Sequence, residues 1–165
     1  MIVVDRIRIK GFRSIRTLQM PLGRSSVLLG TNNSGKSTVL KALELALSDE
    51  TAVRKEDFHA DETGQFGREL SVDIRFVPIN DQFQRLSLFS DDWQKVFCGM
   101  IRRDQHRREY AAFRTVFRTM ADGSIEKKRY EILHWDAVRL GEELSELPSS
   151  LYFVSIDAEE NLRED

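Results

Sequence analysis

Residues Gly30-Thr31-Asn32-Asn33-Ser34-Gly35-Lys36-Ser37 bring together two glycines, a lysine and a hydroxyl at fixed spacing. The order satisfies G-x-x-x-x-G-K-[ST] at every fixed position. Each residue type has a physical task. The glycines let the backbone wrap closely around an anion through conformations that a side chain would obstruct. Amides from Asn33 to Ser37 then converge as a nest of donors, and the helix that follows adds its positive end. Lys36 supplies a compact charge for β- and γ-phosphates and is the residue expected to serve catalysis. The Ser37 hydroxyl is expected to ligate Mg²⁺. ATP with Mg²⁺ is the ligand this chemistry implies. The plainer alternative is a chance glycine turn before a helix, but four fixed positions coincide about once in a hundred chains of this length or less.

Such a loop works only between a strand and a helix, and the flanking residues supply both. Ser26–Leu29 is a short apolar run of the buried-strand type. Lys36–Leu47 carries apolar residues at 39, 40, 43, 46 and 47, the spacing of a helix rich in good helix formers. Upstream, apolar and polar residues alternate from Val3 to Lys10 and again from Ser14 to Met20, with Gly11 between, which predicts a hairpin-like pair of strands. Downstream, residues 49–69 read as an irregular excursion and Leu70–Val77 as a strand ending at Pro78. Asn80–Leu88 reads as a short helix. Ser90, Asp91 and Asp92 are expected to cap another, packed through Trp93, Val96, Phe97, Met100 and Ile101. Ala112–Thr119 and Ile125–Trp135 flank Asp122-Gly123, a strong hairpin signal. Leu151–Ile156 reads as a last strand, with Asp157 and Glu160 opening a helix.

Bulk properties set limits on function. The chain has 165 residues, 41% hydrophobic and 32% charged, and a net charge of −2, so it is not a basic nucleic-acid binder as a whole. Its one cysteine, Cys98, leaves no internal disulfide and fits a reducing cytoplasm. No apolar run approaches the ~20 residues of a membrane span.

The loop has a finer form, Gly-x-Asn-x-x-Gly-Lys-Ser, preceded by Ile9-Lys10-Gly11-Phe12-Arg13-Ser14-Ile15 and followed by Thr38–Leu43. Together these resemble the N-terminus of the ABC-type ATPases of genome maintenance, the SMC, RecF and OLD (overcoming lysogenization defect) families. Asp57-Phe58-His59 and Ile156-Asp157-Ala158-Glu159 make the OLD-type ATP-dependent endonucleases the nearest resemblance. The fold class implied is α/β, a P-loop NTPase of ABC/SMC type, whose N-terminal lobe has mixed and antiparallel strands plus the P-loop helix. Carried over by position, Arg13, Gly30, Asn32, Asn33, Ser34, Gly35, Lys36, Ser37 and Thr38 would line the nucleotide. Arg13 is the basic residue that would reach phosphate or ribose; the plainer alternative is an exposed arginine at a strand end.

The departures also carry meaning. The signature helix, an apolar Walker B strand ending in Asp-Glu and the Toprim nuclease region of OLD proteins are not found. The expectation is therefore an ATP-binding N-terminal portion, residues 1–165 with a P-loop at 30–37 and an antiparallel and helical lobe over about 50–150, hydrolytically incomplete alone. Its partners would be the rest of the polypeptide or another chain, a second copy in a homodimer or higher oligomer, and DNA for the complete protein, in repair or phage defence. The alternatives are a RecF- or SMC-like repair ATPase without nuclease, or a nucleotide-binding interaction module completed by another chain.

Weaker features have plain readings. Arg102–Arg108 is the densest basic run and reads as the solvated face of a helix before it reads as a DNA contact. Asp57, His59, Asp61 and Glu62 read as a solvated loop, and Cys98 and Trp93 as core. No glutamine among 65, 82, 84, 94 and 105 stands out as a γ-phosphate sensor.

Overall fold

The alternating segments pair into one antiparallel sheet. The computed structural model describes residues 1–23, 36–49 and 52–151, so the strand expected at 26–29, the loop at 30–35 and the segment 152–165 lie outside the described residues. Strand β1 (Ile2–Phe12) turns through Arg13-Ser14 into β2 (Ile15–Pro21), the hairpin its alternation predicts. β1 also pairs with β3 (Glu69–Pro78), β3 with β5 (Glu109–Thr119), and β5 with β6 (Ile125–His134). β6 carries an edge strand, β7 (Arg139–Glu143), and the short β4 (Ile101–Arg103) pairs beside β5. The order is β2-β1-β3-β5-β6-β7. Gly11 has φ +69°, and a Cβ there would meet the Glu69 carbonyl oxygen at 2.6 Å, so the close approach of β1 to β3 needs glycine.

Helix α1 (Lys36–Leu47) lies on one face of this sheet, over the span its periodicity predicts. Its buried residues Val39, Ala42, Leu45 and Ala46 join Ile7, Ile9, Phe12, Val72, Ile74 and Phe113 in the main core. Helix α2 (Asp91–Val96) covers the same face further along, through Phe97 and Met100 just beyond its end. The opposite face carries a smaller cluster of Val77, Tyr110, Ala112, Ile132 and Trp135.

Four expectations need correction. Residues 80–88 form no helix: Asn80 Oδ1 accepts the amides of Gln82 and Gln84 at 2.9 Å each, which folds the chain into a tight turn closed by the Ile79–Arg85 bridge. The helix after Ser90 ends at Val96, without a side-chain cap from Ser90, and Ile101 already belongs to a strand. The basic run is likewise strand and turn: Asp104 accepts the amides of His106 and Arg108 and turns β4 back into β5. Cys98 is exposed rather than core. Trp93 is half-buried and stacks on Phe97 at 5.7 Å.

Candidate nucleotide-binding site

Helix α1 begins at Lys36, immediately after the segment Gly30–Gly35. Its first turn contains no acidic residue, so its own side chains leave the partial positive charge of the helix start uncompensated. Ser37 is exposed at this end and Thr38 is buried. Gly30, Asn32, Asn33, Ser34, Gly35 and the Lys36 side chain lie outside the described residues.

The far end of α1 is tied down by strand β6. The last turn has no basic residue of its own. Arg129 donates from Nη2 to the carbonyls of Ala46 (3.2 Å) and Ser48 (3.1 Å), and Lys127 donates to Ser48 at 2.6 Å. Two cations thus meet the negative end of the helix dipole and satisfy carbonyls that a helix end leaves open. Arg129 reaches Asp49 as well, with Nη1 at 2.5 Å from Oδ1. That hydrogen bond, helped by the charges of Arg129 and Lys127, holds the Asp49 carboxyl below its ordinary value although burial opposes it. Burial, and then repulsion from Arg129, pushes the Lys127 ammonium down. Apolar packing on one side and these carbonyl contacts at the C-terminus fix α1 on the sheet.

Arg13 occupies the β1–β2 turn at φ +51°. Its amide donates to the Asp57 carbonyl at 2.7 Å, and its Nε donates to Asp57 Oδ1 at 2.8 Å. His59 Nδ1 donates to the Arg13 carbonyl at 2.7 Å, and the His59 amide donates to the Gly11 carbonyl. A 3-10 turn (Lys55–Asp57) and the Phe12–Phe58 bridge bring both residues to this turn. The ion pair uses Nε, and the Arg13 side chain remains 39% exposed, so the guanidinium is braced but reachable. Asp61, further along, accepts from Thr63 and the Gln65 amide and shapes its own loop. These hydrogen bonds hold its carboxyl below the ordinary value.

The expected residues therefore fall into two described groups, Ser37 and Thr38 on α1 and Arg13 on the hairpin turn. Three residues escaped the reading of the sequence as supports: Asp57 and His59, which hold Arg13, and Arg129, which holds α1. Arg129 lies 83 residues from Ala46, and no local pattern links them.

Short stretches of this chain are similar to known proteins. Over 47 residues it is 36% identical to an OLD nuclease of Thermus scotoductus, covering 28% of this chain and 9% of that protein. It is 45% identical over 49 residues to the uncharacterized protein YbjD of Escherichia coli, covering 30% and 9%. With the uncharacterized protein MJECL10 of Methanocaldococcus jannaschii it shares 45% over 47 residues, covering 28% and 22%. The matched segment thus spans about a tenth of the first two relatives. A solved chain from work on ATP-driven dimerization and DNA-stimulated activation of SMC ATPases aligns with 78% of this chain and 68% of its own, at 17% identity and a TM-score of 0.46. The AAA ATPase domain matches residues 1–150, nearly the whole length, and the chain belongs to that family.

Proposed function

We propose that this chain is the ATP-binding portion of an OLD-like ATP-dependent endonuclease that acts in the cytoplasm in DNA repair or phage defence. One observation carries the ATP-binding part. A G-x-x-x-x-G-K-S segment runs directly into a helix that starts at its lysine, has no acid in its first turn and is anchored at its far end. That arrangement fits a phosphate chain, because a helix start with no acid of its own favours an anion and α1 is held in place on the sheet. Gly30, Asn32, Asn33, Ser34 and Gly35 would supply the loop around the phosphates and Lys36 its charge. Ser37 would hold Mg²⁺, which neutralises phosphate charge when bound. Thr38, buried at the root of the helix, would support the loop. Arg13, braced by Asp57 and His59, would add a second cation at the phosphates or ribose. The nuclease part of the proposal is supported by the short similarity to an OLD nuclease.

Titration with a fluorescent ATP analogue and Mg²⁺ tests the binding. The wild-type chain should bind, and Lys36→Ala should weaken binding at least about tenfold, the loss expected for a charge-assisted contact. Equal binding by both overturns the proposal. The isolated chain should turn ATP over at background rate. Metal-dependent cleavage of plasmid DNA by the protein from the complete reading frame tests the nuclease part, and no cleavage with any divalent cation would refute it.

A further inference from the structure

On the sheet face away from α1, a cleft of about 320 Å³ opens between β1, β3 and the turns at 79–86 and 104–108. Its walls hold four guanidiniums, those of Arg6, Arg75, Arg85 and Arg108. Among the described residues two carboxylates form ion pairs with them, and Asp136 acts on Arg75 from further off. Asp5, displaced by a β-bulge in β1, accepts both Nε (2.9 Å) and Nη2 (2.5 Å) of Arg75. Asp104 takes Arg108 at 3.0 Å. Two of the four guanidiniums keep no ion pair among the described residues, in a chain whose net charge is −2.

Those two charges sit on Arg85 and Arg6. Arg85 spends its described hydrogen bonds on carbonyls, those of Leu86 (2.7 Å), Pro78 (3.4 Å) and Glu109 (2.5 Å). It is oriented by dipoles and has no carboxylate partner among the described residues. Burial pushes its guanidinium below the ordinary value, and Arg108 and Arg75 add to this while the charges of Asp5 and Asp104 oppose it. Arg6 stands opposite Arg75 in the strand register, and no described hydrogen bond or ion pair engages its side chain. A like-charged cross-strand pair and a half-buried cation held only by carbonyls both cost stability, and an incoming anion relieves both. Two guanidiniums without ion pairs suit a dianionic group better than a monocarboxylate, and arginine forks match the geometry of phosphate oxygens.

We propose that this cleft is a second phosphate-binding site, separate from the loop at 30–37, with Arg6, Arg85 and Arg108 as its ligands and Arg75 as a support fixed by Asp5. The phosphate could belong to a free polyphosphate or to the backbone of a nucleic-acid strand, and the two sources are told apart below.

Inorganic tripolyphosphate is the probe, titrated calorimetrically into the 165-residue chain and into its Lys36→Ala variant. The Lys36→Ala chain should still bind it at one site per chain. Adding Arg6→Gln to that variant should weaken the remaining site about tenfold, and Arg6→Gln with Arg108→Gln about a hundredfold, at one charge-assisted bond each. The Arg6 side chain has no described partner and faces Arg75, so its replacement should leave thermal unfolding unchanged or raise it slightly, and a melt at or above that of the parent shows that lost binding is not lost folding. Loss of all tripolyphosphate binding in Lys36→Ala, or no effect of the arginine changes, overturns the second site. Binding that ignores Lys36 but follows Arg6 supports the cleft while refuting the loop. A single-stranded oligothymidylate that displaces tripolyphosphate in an Arg6-dependent way identifies the strand backbone as the source. Failure to displace identifies a free polyphosphate.

Discussion

The two faces of the central sheet are built from the same strands, one residue out of step, and they are held together by different forces. Toward α1 stand Ile7, Ile9, Val72, Ile74 and Phe113, each fully buried, with Phe76 stacked on Phe113 at 6.0 Å and tilted against Phe97 at 5.6 Å. On the other face Arg8, Asp73 and Arg114 lie side by side across β1, β3 and β5. Asp73 accepts Arg8 Nε at 2.9 Å and Arg114 Nε at 2.6 Å, and the Arg8 guanidinium sits 3.7 Å over the Trp135 ring. The first face is stabilised by area removed from water, which is non-directional. The second relies on pairing, in which each group is costly without its neighbour. The difference explains how one sheet can present a rigid apolar seat for a helix and, behind it, a wall rich in guanidinium.

Phe113→Ala breaks the comparison hardest from the apolar side. Removing a fully buried ring that stacks on Phe76 should cost about 3–5 kcal/mol, transfer and cavity together, and urea denaturation followed by circular dichroism measures it. Phe113→Leu, which keeps most of the volume, should cost about 1.5 kcal/mol or less. Equal losses would mean that this face depends on ring geometry and not on area.

Asp73→Asn breaks it from the charged side with a change of one atom in size. Asp73 is 1% exposed and faces two arginines, so neutralising it leaves the buried Arg8 and the half-buried Arg114 around an amide. The expected cost is about 3 kcal/mol, read from the same urea transitions. The arginines already differ: burial pushes Arg8 down, while the hydrogen bonds that Arg114 donates to Asp73 push Arg114 up. Arg8 also keeps Nη2 buried and unbonded. Replacing all three with Met, Leu and Met should be close to neutral, because the whole charge set leaves together. A large loss in that triple variant would show that the ladder specifies the strand register.

How much of this the residues announce depends on range. The hairpin of β1 and β2, the helix at 36–47, β3 and the β5–β6 hairpin follow from period-two or helical spacing within a few residues, and each forms where expected. The phosphate-binding pattern at 30–37 is equally local. Residues 80–88 and 102–108 mislead because a single side chain, Asn80 or Asp104, offers the backbone better partners than a helix would. β7 escapes notice because Arg139-Leu140-Gly141-Glu142-Glu143 has the composition of a polar edge, not of a buried strand. The supports of the site are long-range in sequence: Arg13 to Asp57 spans 44 residues and Arg8 to Asp73 spans 65. No window of local pattern spans those distances.

The smallest effect lies where the apolar face makes its own use of charge, at Asp49 beside the end of α1. Its pKa is lowered in the folded chain, chiefly by the hydrogen bond from Arg129. A depressed carboxyl contributes stability that is present above its unfolded value, near 3.8, and lost as pH falls through the lower folded value. Asp49→Asn should therefore be less stable than wild type at neutral pH, and the gap should close below about pH 3. The Asp49 side chain is 71% exposed, so solvent screening keeps the difference under about 1 kcal/mol, and salt should shrink it further. Arg129 retains the Ala46 and Ser48 carbonyls and Thr115 Oγ1 when Asp49 is gone, which is why the helix end should hold. Urea transitions of the two proteins across that pH range make the check. A gap well above 1 kcal/mol that ignores pH would mean that Asp49 positions Arg129 sterically, so that the seat of α1 depends on pairing as much as the charged face does.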